Sequence, residues 1–121
     1  MSERAFSALE NKTITKVEVD QDNYDDQIDF YTECGKHYRM KHYQDCCEHV
    51  HIEDINGDLD DLVGSEIVRA VEAVGEYNRN YGHQTWTFYH IRTQDRVITI
   101  RWVGESSGYY SESVCFEEIA Q

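Results

Sequence analysis

Within ten positions, 42–51, the chain places His42, Cys46, Cys47, His49 and His51 beside Asp45 and Glu48. Thiolate sulfur and imidazole nitrogen are the donors zinc prefers, and a tetrahedral site needs four of them. His42, Cys46 and Cys47 are the candidate ligands. The fourth is left open among His49, His51, His90 and Cys115. A chain of 121 residues buries only a modest core, so a structural zinc would supply cross-links the core lacks. The spacing is not a paired Cys-x-x-Cys signature. Adjacent cysteines also point to opposite faces of a regular strand, so a bend or bulge has to turn both onto one ion. The plainer alternative makes Cys46 a small core residue and His42 a hydrogen-bonded strand histidine.

Other chemistries fit these residues less well. A nucleophilic Cys46 or Cys47 with His42 as base is opposed by Asp45 and Glu48, because nearby carboxylates raise a thiol pKa. A metal-dependent hydrolase would need Asp45 or Glu48 in a pocket beside an open coordination position. Asp54 to Asp61 resembles a calcium loop only in composition. Counted from Asp54, Gly57 is fourth where an EF-hand needs its Gly sixth, and Ser65 is twelfth where it needs Glu; a solvated turn explains these acids.

The net charge is −13, from 24 acidic and 11 basic residues. Such a surface repels nucleic acid and attracts basic proteins. One group of acids holds Glu18, Asp20, Asp22, Asp25, Asp26 and Asp29; a second holds Glu53, Asp54, Asp58, Asp60, Asp61 and Glu66. The aspartates of both groups are the candidate partner-binding residues, although solubility alone also accounts for acidic loops. The charge opposes a base-stacking role for Trp86, Phe88, Tyr109 and Tyr110, which are expected in a packed sheet core. Arg101 is expected to pair with Glu105 or Glu112. No membrane span and no leader are apparent, so a cytoplasmic protein with four reduced or metal-bound cysteines is expected.

The elements that must position these residues follow from apolar alternation. Strands are expected over Thr13–Val19, with a break in phase between Ile14 and Val17, and over Gln27–Glu33, Lys36–Tyr43 and Cys47–Ile55. Further strands are expected over Thr85–Ile91, Arg96–Val103 and Tyr109–Phe116. Cys34-Gly35 reads as a tight turn, and Asp58–Val63 as a helical turn ended by Gly64. Ser65–Glu76 fits a helix or an edge strand. The 42–47 region reads as a hairpin bend that brings His42 to the cysteines. The expected class is α+β in one domain: predominantly one twisted antiparallel sheet with one short helix or helical turn.

Several strings occur in a recognisable order: Gln44-Asp45-Cys46-Cys47-Glu48, then Ile52-Glu53-Asp54-Ile55 and Gly57-Asp58-Leu59. Thr85-Trp86-Thr87-Phe88-Tyr89, Ile100-Arg101-Trp102 and Gly108-Tyr109-Tyr110-Ser111-Glu112-Ser113-Val114 follow. From about Lys12 to Phe116 the chain resembles a family of small uncharacterised proteins encoded mainly by bacteriophages and prophages. Some members look like anti-CRISPR proteins that inhibit type II Cas9 effectors, and a zinc-containing inhibitor of that kind is similar to this chain. Ser107, His90 and Cys115 depart from the pattern, where Asn, Lys and an acid are usual. The resemblance therefore favours His42, Cys46 and Cys47 over His90 and Cys115 as ligands. It implies a non-enzymatic, stoichiometric Cas9 inhibitor in the host cytoplasm that blocks DNA loading without itself touching nucleic acid or membrane. A small metal-dependent enzyme and a metal-free phage accessory protein are the alternatives.

Overall fold

The computed structural model describes residues 2–21, 25–44, 47–79, 82–107 and 111–120. Alternation becomes strands β1 (Ser2–Glu3), β2 (Ile14–Asp20), β3 (Gln27–Thr32), β4 (His37–Lys41) and β5 (His49–Asn56). They continue with β6 (Arg69–Arg79), β7 (Gly82–Arg92), β8 (Val97–Ser106) and β9 (Cys115–Ile119). The helical pieces among the described residues are two 3-10 turns, Phe6–Leu9 and Leu59–Leu62. The β-dominated class holds. The single sheet does not: the strands form a five-stranded sheet, β1-β9-β4-β3-β2, and a four-stranded sheet, β5-β8-β7-β6. Neighbouring strands within each sheet are antiparallel.

The inner faces are those the alternation marks. Ile28, Phe30, Tyr38, Met40 and Phe116 from the first sheet meet Val50, Ile52, Ile98, Ile100 and Trp102 from the second in one buried cluster. Each such side chain contributes about 1.5–3 kcal/mol. Trp102 Nε1 donates to Met40 Sδ across the core at 3.1 Å, and the Phe6 ring lies 4.6 Å from Tyr89 and 5.2 Å from Phe116. The break in phase at the start of β2 is a register shift between Ile14 and Lys16. Gly35 and Gly64 take positive φ, at 86° and 85°, where the turn and the end of the helical turn are expected.

Of the two readings open for Ser65–Glu76 the edge strand holds: the run is the lead-in and first part of β6, at the end of its sheet. Three expectations are corrected. On β7 the buried residues are Thr85, Thr87, Tyr89 and Ile91, and Trp86 and Phe88 face outward. Trp86 lies under the Arg101 guanidinium, 5.7 Å from its ring centre. Arg101 pairs with Glu53, on neither Glu105 nor Glu112. Finally, β4 and β5 do not form a hairpin. β4 has β3 and β9 on its two sides while β5 pairs with β8, so the chain crosses from one sheet to the other between them.

Candidate functional site

The crossing segment sets what His42 can do. His42 follows β4 on its inward face and is buried. Its Nδ1–H donates to the Ser113 carbonyl at 2.6 Å, and Nε2 meets Glu48 Oε2 at 2.9 Å. A carbonyl only accepts, so Nδ1 carries a proton, and both ring nitrogens are engaged within the protein. Glu48, one of the two carboxylates considered for a hydrolase, has a fully buried side chain. Cys47 is disulfide-bonded, while Cys34 and Cys115 are free. The expectation of reduced or metal-bound cysteines therefore fails at Cys47, because a sulfur shared with another sulfur is not a thiolate donor. Cys46 and Asp45 lie outside the described residues.

The remaining candidate donors sit elsewhere. His49 and His51 stack on the outer face of the second sheet with ring centres 4.5 Å apart. Burial, then the neighbouring His49, lowers the His51 pKa against the opposing pull of Asp26, Glu105 and Glu53. His90 bonds Thr99 Oγ1 at 3.1 Å on an exposed surface. Cys115 is half-buried, and burial followed by Glu3 and Glu117 raises its thiol pKa. Among the described residues no three His, Cys, Asp or Glu side chains are grouped as a metal would require. In this arrangement both ring nitrogens of His42 and the Cys47 sulfur are engaged within the protein.

The acids divide by burial. Asp26 and Asp29 are buried, so neither can contact a partner. Asp26 Oδ2 accepts the Ile52 N–H at 2.7 Å. Asp29 accepts from Gln27 Nε2 at 2.7 Å, Arg39 Nε at 2.9 Å and His37 Nε2 at 2.7 Å. Burial pushes the Asp29 pKa up, but those bonds and the Arg39 charge outweigh it and hold the carboxyl below its ordinary range. Asp22 lies outside the described residues. Asp20, Asp25, Asp54, Asp58, Asp60 and Asp61 are exposed.

The fold draws these exposed acids to one side. β2 and β5 are the outermost strands of their sheets. Gln21 Nε2 donates to the Ile52 carbonyl at 3.3 Å, tying the end of β2 to β5, and the Asp26 bond ties the start of β3 to the same residue. Ile14 and Thr13 bridge Val63 and Glu66, bringing the segment after the second 3-10 turn to the start of β2. Asp25 pairs with Lys41 at 2.9 Å and Asp61 with Arg96 at 3.5 Å. Asp20, Asp54, Asp60 and Glu66 have no cationic partner among the described residues.

A second constellation escapes sequence reasoning. Glu112, 5% exposed, receives His83 Nδ1–H at 2.9 Å, Thr85 Oγ1–H at 2.8 Å and the Ser106 hydroxyl. Gly104 makes room for it: a Cβ there would stand 2.7 Å from Glu112 Cβ and 3.0 Å from its carbonyl oxygen. The group borders a cleft of about 340 Å³ between β6, β7 and the 111–114 segment, lined also by Glu72, Val74 and Glu76. The carboxylate holds the His83 ring in place at the wall of this cleft. The shared parity of His83, Thr85 and Thr87 is the available signal in the sequence. The bulk of Trp86 and Phe88 outweighs it.

No curated protein and no solved structure matches the chain. Residues 7–116 match a family described as a domain of unknown function, DUF7448. Nearly the whole two-sheet body, from the first 3-10 turn into β9, falls within that match, and the chain belongs to the DUF7448 family.

Proposed function

We propose that this protein is a stoichiometric binding protein, without catalytic activity, whose acidic β2–β5 side occupies a cationic nucleic-acid-binding surface of another protein. The supporting observation is the gathering of Asp20, Asp54, Asp60 and Glu66, exposed and without cationic partners among the described residues, along that side. Opposite charge at such a surface speeds encounter and excludes polynucleotide competitors. The resemblance to phage-encoded inhibitors names the partner to test first, a Cas9 effector, whose guide and target strands run through positive channels. Zinc has no part in this reading.

The test is capture of purified Cas9 by the protein, with DNA loading followed at several salt concentrations. Binding that weakens as salt rises, and weakens further when Asp54, Asp58, Asp60 and Asp61 are changed to Asn, is expected. Absence of binding at low salt rejects the proposal.

A further inference from the structure

β6 closes one side of the four-stranded sheet, and nothing pairs with its outer edge over 72–76 among the described residues. The Ala70 N–H is bonded to Glu10 Oε2 at 3.0 Å, so it points away from β7. β6 pairs with β7 with no shift of register, so the amides of Glu72, Val74 and Glu76 point the same way, toward the open edge. All five residues from Glu72 to Glu76 are exposed. A Cβ added at Gly75 would meet nothing within 4 Å. Edges of this length are normally blunted by lysine, proline, a bulge or a covering segment. β6 runs 11 residues with none of the first three.

The side chains give the edge a preference. Glu72, Val74 and Glu76 share one face, opposite Tyr89, Thr87 and Thr85, and line the cleft. Val74 is 58% exposed, and neither glutamate has a cationic partner among the described residues. Directly opposed cross-strand residues are favourable when oppositely charged and unfavourable when alike. We propose that β6 is the docking edge for an extended segment of a basic partner. That segment adds as a fifth strand, with Lys or Arg opposite Glu72 and Glu76 and an apolar residue opposite Val74. A second copy is refused, because it brings the same glutamates on a chain of net charge −13. The proposal rests on the binding reading above only in taking the partner to be a basic protein.

The experiment uses the full chain, isotope-labelled, and a capped peptide of about seven residues, Thr-Lys-Thr-Val-Thr-Lys-Thr. Amide exchange is expected to slow at Glu72, Val74 and Glu76, and to be unchanged by the peptide with Glu in place of Lys. Val74→Pro removes the central edge-facing N–H without touching the ladder to β7 and should weaken the peptide about 10-fold. Glu72→Lys/Glu76→Lys should reverse the preference toward the Glu peptide. Protection confined to other strands, or a double variant that still prefers the Lys peptide, overturns the proposal. Peptide capture at β6 without Cas9 capture retires the partner named above and upholds the docking edge. Cas9 capture with no protection of β6 by the Lys peptide retires the docking edge alone.

Discussion

Replacing Glu112 by Ala should be among the most damaging single changes in this protein. The carboxylate is 2% exposed as a side chain and receives three donors, from His83, Thr85 and Ser106. Hydrogen bonds to a charged group contribute about 1.5–3 kcal/mol each. They do not all survive as a penalty, because the His83 side chain is 24% exposed and water can replace its partner. Thr85, 7% exposed, has no such recourse. The expected loss is about 3–5 kcal/mol, from a total of about 5–15 kcal/mol for a domain of this size. That corresponds to a fall in Tm of roughly 10–25 °C. Glu112→Gln keeps one acceptor oxygen, and the two hydroxyls can rotate to meet its NH2, so its cost should be about 1–2 kcal/mol. Urea melts followed by circular dichroism measure both. A Glu112→Ala protein within about 0.5 kcal/mol of the parent, or a Gln variant as weak as the Ala one, refutes the assignment of Glu112 as the hub of this network.

Asp29 carries a pH signature. Its folded pKa lies below the ordinary value of about 3.9, so the stability it confers is present above about pH 4 and is lost as pH falls through the lowered value. Asp29→Asn should cost about 2 kcal/mol at pH 7 and flatten the acid limb of the stability curve, measured by melts between about pH 3 and 7. The thiols should separate by rate. Cys34 is exposed and its pKa is lowered, chiefly by the Thr32 hydroxyl, so iodoacetamide should label it before half-buried Cys115, whose pKa is raised; mass spectrometry should find Cys47 unlabelled until reductant is added. Zinc is tested by elemental analysis of tag-free protein prepared with and without reductant. Stoichiometric metal in unreduced protein would refute the reading that Glu48 and Ser113 occupy the His42 ring and that a disulfide occupies the Cys47 sulfur.

The strands are legible where apolar residues alternate without competition, as at Ile28 and Phe30, Tyr38 and Met40, and Ile98, Ile100 and Trp102. Gly35 and Gly64 mark their turns because only a positive φ closes them compactly. What each strand pairs with is not legible. A short polar connector such as 42–48 looks the same whether the chain doubles back or crosses to a second sheet, and only the pairing of β4 with β9, far along the chain, decides it. The facing of β7 is hard to read because Trp86 and Phe88 are larger and more apolar than Thr85 and Thr87. The smaller pair faces inward, where Thr85 supplies the hydroxyl that Glu112 needs. Burial of Asp26 and Asp29 is hidden for a related reason. Asp26 is anchored by the Ile52 amide of the other sheet and Asp29 by side chains of the next strand, and charge alone reports neither.

The two tryptophans occupy opposite environments: Trp102 is sealed against Met40 in the interior, and Trp86 lies outside under Arg101. The molecule thus carries two optical reporters with separate duties. Blue-shifted emission that iodide cannot quench follows the integrity of the interior. The quenchable fraction follows whatever settles on the outer face of the second sheet, and Trp86→Phe leaves the first signal standing alone.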